Sequence, residues 1–291
     1  MDKIIFSLAG NEKLAASIAS GLKCETGKYL YHQFPDEESY IKLNADVSGK
    51  EAIVVCTLDR PDSKFMPLYF LCEILKDAGA DKITLVAPYL SYMRQDKKFN
   101  PGECITSEHF ANLLSSFVDE LITVDPHLHR ISSLESIYSI PTKTIHATPF
   151  ISQWIKENIK NPILIGPDME SKQWVSQVAK DAGAPYTVLI KSRMGDKNVK
   201  VSVPHLKNHN GNYTPVIVDD IISTAATMIK TVEHLKEQDT PSPICIGIHA
   251  VFSGNAYSEL KNSGTDEIVT CNTILHESNK IDITSAIIAQ L

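Results

Sequence analysis

With 291 residues, 43% of them hydrophobic and 22% charged, the chain can pack a core along its whole length, which excludes disorder and makes two domains of ordinary size the expected count. A formal charge of −7 excludes the broad basic face that a nucleic-acid partner requires, because such binding rests on Lys and Arg neutralising many phosphates. It leaves room for a small phosphorylated ligand held by backbone amides, a helix N-terminus or a metal ion.

The opening MDKIIFSLAGNEKL reads as a strand and not as a secretory signal or anchor. No run reaches the roughly 18 apolar residues of a membrane span, so no membrane partner is expected. The six cysteines, Cys24, Cys56, Cys72, Cys104, Cys245 and Cys271, show no CxxC spacing; they read as free thiols, which suits the cytoplasm. From there short β-branched runs alternate with longer amphipathic stretches: IIFSL, AIVVCTL, KITLVAPYL, ELITVDP, ILIGPD, YTVLIK, PVIVDD, ICIGIHAVF and EIVTCNTI. That rhythm predicts parallel sheets with crossover helices, an α/β fold. FMPLYFLCEILKDAGA, KQWVSQVAKDAGA and ATMIKTVEHLKEQ carry helical periodicity. Residues 145–162, ending in WIKENIKNP, read as a helix and boundary between two near-equal halves, and the phrase DAGA, closing a helix in each half, hints at an internal duplication.

Polar residues fall after the strands. APY leads into LSYMRQD, ITVD into PHLHR, LIG into PDMESK, TVLI into KSRMGDK, and VIVDD into IISTAAT. In open parallel sheets ligands collect at the carboxyl ends of strands. The stretch PVIVDDIISTAATM delivers Asp219 and Asp220 to such an end, and the small and hydroxyl residues Ser223, Thr224, Ala225, Ala226 and Thr227 then open a helix. Small residues let amides approach an anion and the helix dipole favours its charge, while the acids can accept from sugar hydroxyls or a ligand-bound magnesium. An acidic strand end followed by a capped helix accounts for the same stretch without a ligand.

VIVDDIISTAAT is similar to the phosphoribosyl diphosphate motif of type I phosphoribosyltransferases and ribose-phosphate pyrophosphokinases: an apolar strand, Asp-Asp, two apolar residues, then Asp-Thr-Ala-Gly-Thr. Other stretches select the pyrophosphokinase branch: PYLSYMRQDKKFNPGECITSEHFANLL resembles its ATP-binding segment, HQFPDEESYIKL its F.D.E segment, ITVDPHLHR its VD.H strand end, and HAVFSGNA a segment near its C-terminus. The resemblance runs through essentially the whole chain.

It implies two phosphoribosyltransferase-like domains related by duplication, with the active site between them: 1–145 with the ATP-binding segments and 146–291 with the ribose 5-phosphate site and catalytic loop. The implied reaction moves the β,γ-diphosphoryl group of ATP onto the C1 hydroxyl of ribose 5-phosphate with Mg²⁺, giving 5-phosphoribosyl 1-diphosphate and AMP. Phe34, Asp36 and Glu38 are implied to recognise adenine, with Arg94, Gln95 and Asp96 on the rest of ATP. An acidic surface loop is the plain alternative for FPDEE, and a solvated one for Lys97 and Lys98. His127 is implied to hold the magnesium of ATP or contact its phosphates, with His129 two residues on offering an alternative HxH pair. Asp168 is implied to lie near ribose 5-phosphate and its metal, Lys191 and Arg193 to be the cations of the catalytic loop, and Asp219 and Asp220 with Ser223 to Thr227 to hold ribose and 5-phosphate. A charged hairpin turning at Gly195 and Asp196 equally explains the Lys191 stretch.

Departures from the pattern are Glu37 for a glycine, 169–172 for a glycine-bearing turn in which Lys172 is a candidate substitute grip, Ser223 for an aspartate, and Ala226 for a glycine. If position 226 needs positive φ, its alanine costs about 1 kcal/mol. Two rival readings follow: a phosphoribosyltransferase acting on a base, and a non-catalytic regulatory homologue. Assembly as a homodimer or higher homo-oligomer is also implied.

Overall fold

Strands that must be buried on both faces need near-continuous apolar runs, and β1 (Lys3–Ser7) opens such a series, with Ile4, Ile5 and Phe6 buried. The computed structural model describes residues 1–167, 171–194, 198–202 and 212–291, and within them the side chains of all but 173 and 190–202. After β1 come α1 (Glu12–Leu22), β2 (Glu25–Thr26), the antiparallel hairpin β3 (Tyr29–Gln33) and β4 (Ser39–Leu43), β5 (Glu51–Val55), α2 (Pro61–Asp77), β6 (Lys82–Ala87), α3 (Thr106–Ser115), β7 (Glu120–Val124) and β8 (Thr142–Ile145). Six of these strands form one parallel sheet in the order β2-β1-β5-β6-β7-β8. Leu68, Leu71, Cys72 and Leu75 of α2 meet Phe110, Ala111 and Leu114 of α3 in the core on it.

The second half repeats the scheme. It contains α4 (Thr148–Asn158), β9 (Pro162–Gly166), α5 (Lys172–Ala182), β10 (Tyr186–Val188), the antiparallel hairpin β11 (Ile190–Met194) and β12 (Asn198–Ser202), β13 (Thr214–Ile221), α6 (Ala226–Lys236), β14 (Ile244–His249), α7 (Ala256–Asn262), β15 (Glu267–Cys271) and β16 (Asn279–Ile281). Its six-stranded parallel sheet runs β10-β9-β13-β14-β15-β16. Each sheet thus has its first strand second in line, its third strand beside it, and a hairpin inserted between its second and third strands. One topology occurs twice, and this carries the duplication.

The DAGA phrase does not. Both glycines are left-handed, Gly79 at φ 85° and Gly183 at φ 69°, but α2 follows the third strand of its sheet and α5 the first of the other. The phrase is a helix stop used at non-equivalent places.

The first compact unit comprises Met1–Ile145 together with Thr273–Leu275 and Thr284–Leu291, and the second His146–Asn272 with His276–Ile283. The division of the sequence at 145/146 had left the C-terminal residues in the second half. They return because α8 (Thr284–Ile288) packs on α1, where Gly21 leaves room for Ile288, and because Lys3 and Lys143 donate to the carbonyls of Leu291 and Gln290. Periodicity reports local structure and says nothing of such a return.

A charge ladder runs across the N-terminal ends of five strands of the first sheet: Lys3, Glu51, Lys82, Glu120 and Lys143. Burial works against ionising Glu51, but hydrogen bonds from Thr84 and Lys82 and the nearby lysine charges outweigh it, so its carboxyl sits below the ordinary value. Glu120 behaves alike, with Lys143 and Lys82 overcoming its burial. This edge is spent on structure. The opposite, carboxyl edge of each sheet carries the polar loops.

Candidate active site

In the first unit the FPDEE stretch caps the β3–β4 hairpin. The Phe34 amide donates to the Glu38 carbonyl and the Glu37 amide to the Phe34 carbonyl, each at 2.9 Å, and Glu37 stands at φ 70°. That is the left-handed backbone a glycine would adopt freely, so the fold keeps the geometry despite the substitution. Phe34 is 46% exposed and meets His32 and Tyr40 edge-on, and these two rings stack on each other at 4.6 Å. Asp36 and Glu38 are exposed beside it. An aromatic face held open next to two carboxylates suits a flat heterocycle with an exocyclic amine.

The RQD stretch leaves the carboxyl end of β6. The Leu58 amide donates to the Tyr89 carbonyl, the Tyr89 amide to the Thr57 hydroxyl, and Asn11 accepts from the Thr57 amide at 3.0 Å, so the connections leaving β1, β5 and β6 are pinned together. Gln95 is held inward: its carbonyl accepts from the Ser107 amide and hydroxyl, and its side-chain oxygen from Thr106. Asp96 accepts two hydrogen bonds from Arg130. Arg94 is exposed and has no ion-pair partner among the described residues. After β7, His127 and His129 lie with ring centroids 4.0 Å apart, as two-residue spacing in extended chain dictates. His127 is half-buried and His129 exposed.

In the second unit β13 carries Asp219 and Asp220, both part-buried. The Asp220 amide donates to Asp219 Oδ1 at 3.0 Å and the Ile221 amide to Asp220 Oδ1 at 2.8 Å. These bonds turn the carboxylates along the chain. Asp219 pairs with Gly247 on β14, where an added Cβ would lie 2.6 Å from Ile222. The glycine lets Ile222 fold under the loop, whose far side is held by the Phe252 amide on the Ile222 carbonyl, the Ser253 amide on the Ser223 carbonyl, and a Ser223–Ser253 hydroxyl contact at 3.1 Å. Thr224 accepts weakly from the Ala226 amide at 3.4 Å. The amides of Ser223, Thr224 and Ala225 have no acceptor among the described residues, and they end at the first turn of α6. Three open amides before a helix N-terminus form an anion cradle.

The strain expected at Ala226 falls one residue earlier. Ala225 takes φ 56°, ψ 4° as the residue before the helix, while Ala226 starts the helix. A turn that must reverse just before helical geometry begins puts its left-handed residue at the junction. Asp168, Met169 and Glu170 lie outside the described residues, as do Gly195 and Asp196. Lys172 opens α5. Lys191 and Arg193 stand on β11, paired with Val201 and Val199, so the chain there is a hairpin. Cys56, Cys72, Cys245 and Cys271 are buried. All six cysteines are free, and burial pushes Cys56 up to about 12 and raises Cys72 and Cys245 further. Arg130, Asn11, Thr57 and Gly247 were not singled out in the sequence; only Arg130, three residues after His127 in PHLHR, offered a signal.

Residues 3–117 match the N-terminal domain of ribose phosphate pyrophosphokinase, and residues 133–284 the phosphoribosyl transferase domain. A ribose-phosphate pyrophosphokinase of Sulfurisphaera tokodaii is 32% identical over 88% of this chain and 88% of its own. The chain belongs to the ribose-phosphate pyrophosphokinase family. The ribose-phosphate pyrophosphokinase of Sulfolobus acidocaldarius is 31% identical over 94% of this chain and 92% of its own, and that of Methanobrevibacter smithii 27% identical over 98% of each. The crystal structure of phosphoribosylpyrophosphate synthetase from Mycobacterium smegmatis shares the fold across 100% of this chain and 97% of its own, with a TM-score of 0.87 at 22% identity. The enzyme is thus a ribose-phosphate pyrophosphokinase of α/β fold with two phosphoribosyltransferase-like domains, in a family that uses metal ions. Among the described residues no helix is long and apolar enough to cross a membrane.

Proposed function

We propose that this enzyme holds ATP with its first unit and ribose 5-phosphate with its second, and transfers the diphosphoryl group between them. The C1 hydroxyl oxygen of the sugar forms a bond to the β-phosphorus of ATP, the bond from that phosphorus to the oxygen bridging it to the α-phosphorus breaks, the hydroxyl proton is released and AMP leaves with that oxygen. The observation that carries the sugar half is the Asp219–Asp220 pair followed by the open amides of Ser223, Thr224 and Ala225. The amides and the Thr227 hydroxyl take the 5-phosphate; the carboxylates accept from the ribose hydroxyls. On the ATP side Phe34 stacks on adenine, Asp36 and Glu38 accept from its amine, and Arg94 grips phosphate oxygens.

Mg²⁺ is the metal this donor chemistry fits. Among the candidate residues hard carboxylate oxygens dominate, and the imidazoles of His127 and His129 are too few for a zinc set. His127 would hold the metal on the ATP side and Asp168 the one beside ribose 5-phosphate. When bound, the ion neutralises charge on the transferring phosphates. Lys191 and Arg193 add fixed positive charge there, which matters because phosphoryl transfer needs positioning and charge stabilisation more than covalent help. We further assign the enzyme to the cytoplasm and to a homodimer or larger homo-oligomer, without nucleic-acid partner.

The test is to incubate the purified protein with ATP, ribose 5-phosphate and magnesium and to follow AMP. AMP formed only with all three supports the reading; binding of both substrates without turnover ends it in favour of a regulatory homologue.

A further inference from the structure

We propose that Arg130 is a positioning residue that ties the RQD loop to the loop carrying His127, with Asp96 as its anchor point. One guanidinium nitrogen, Nη1, donates to both oxygens of Asp96, at 2.9 and 3.2 Å. The Asp96 side chain is 2% exposed and that of Arg130 45%. A carboxylate so enclosed, with both oxygens on one cation, is not presented to a ligand. Other fixed points of this connection tie it to the β5–α2 side or to its own chain: the Tyr92 hydroxyl donates to Asp62, Gln95 is held by Thr106 and Ser107, and the amides of Phe99 and Asn100 by Glu103. Arg130 comes instead from the connection after β7, three residues beyond His127. Its guanidinium carbon also lies 5.5 Å over the Phe99 ring, which Lys97 Nζ approaches at 5.0 Å, so the arginine is braced on an aromatic face as well as on Asp96.

The consequence divides the RQD triplet. Arg94 faces solvent, Gln95 and Asp96 face inward, and the Arg130–Asp96 strut fixes where Arg94 stands with respect to His127. Since ligand groups must be held to a fraction of an ångström for a nucleotide to engage them together, loss of the strut weakens the hold on the nucleotide and spares the sugar site. This inference rests on the reading of Arg94 and His127 as ATP groups.

Steady-state kinetics and thermal unfolding of wild type, Arg94→Ala, Arg130→Ala and Arg130→Lys test it. Arg130→Ala is expected to raise the KM for ATP on the order of tenfold with the KM for ribose 5-phosphate unchanged. Arg130→Lys should restore much of the loss, because a single nitrogen makes both contacts and an ammonium can replace it. If Arg94→Ala raises the ATP KM and Arg130→Ala does not, the strut is overturned while the ATP site stands. If neither does, the ATP site itself is misread and the strut falls with it. A parallel rise of both KM values with a lowered melting temperature makes Arg130 merely structural and also overturns the proposal. Should Arg130→Ala fail to fold, Asp96→Asn removes the charge at constant volume and must give the same split between the two substrates.

Discussion

Asp219 and Asp220 make the sharpest demand on single residues. Each is oriented by the amide that follows it, so replacing one by Asn leaves the loop intact and removes a charged acceptor. A hydrogen bond to a charged group contributes about 1.5–3 kcal/mol, so Asp220→Asn should raise the KM for ribose 5-phosphate between about ten- and a hundredfold, with the KM for ATP unchanged. Lys191→Ala or Arg193→Ala should instead lower kcat on the order of a hundredfold or more at nearly constant ribose 5-phosphate affinity, since their charge acts on the transferring group; unchanged turnover would remove β11 from the chemistry. The two left-handed residues carry a different lesson. Glu37 at φ 70° is exposed, so Glu37→Gly should stabilise the protein by up to about 1 kcal/mol in thermal unfolding. Ala225 at φ 56° is 6% exposed, and Ala225→Val should cost both stability and phosphate affinity, because a β-branched residue resists that backbone.

At the scale of elements the sheets divide their labour between two edges. The N-terminal edge of the first sheet holds the Lys3–Glu51–Lys82–Glu120–Lys143 ladder. Both glutamates have folded pKa values below their ordinary value of 4.5, so their contribution is complete above the unfolded value and disappears as pH falls through the folded one. Stability should therefore decline below about pH 4.5, and Glu120→Gln should both lower stability at neutral pH and flatten that decline. About 1–3 kcal/mol is expected, less than for a fully buried pair, because Lys82 and Lys143 are 36% and 40% exposed. Much of the architecture was legible because β5, β6, β7, β9, β13 and β14 are apolar runs with clear periodicity. What escaped were elements without that signal: β2, β8 and β16 are short edge strands, and the hairpin strands β3, largely exposed, and β4, alternately exposed, lack a buried apolar run and flank the acidic FPDEE loop. The course of residues 219–227 from a strand end into a helix could be anticipated from the apolar run, the acids and the small residues in sequence. The Arg130–Asp96 pair spans 34 residues, and no local pattern encodes such a distance.

For the whole molecule, duplication explains why one chain carries two sheets of the same strand order, each with polar loops at its carboxyl edge. Between the second and third strands of each sheet sits a hairpin, and one bears FPDEE while the other bears Lys191 and Arg193. After the third strand each unit turns through a left-handed residue into a helix, Arg60 before α2 and Ala225 before α6. Yet the end of β5 in the first unit, Val55-Cys56-Thr57, carries no acidic pair, and Thr57 donates to the Thr273 carbonyl and accepts from the Tyr89 amide. The first carboxylate after it, Asp59, is paired with Lys64 and Arg60, and the adjacent pair Asp219–Asp220 belongs to the second unit. The proposed division of substrates between units builds on that difference. The diphosphoryl transfer itself is tested most directly by supplying ATP labelled at the β-phosphorus with ribose 5-phosphate and magnesium, then locating the label. The account predicts label in 5-phosphoribosyl 1-diphosphate with an equal amount of AMP, and none transferred when the metal is chelated. Label remaining in ATP, or appearing in ADP, would contradict it.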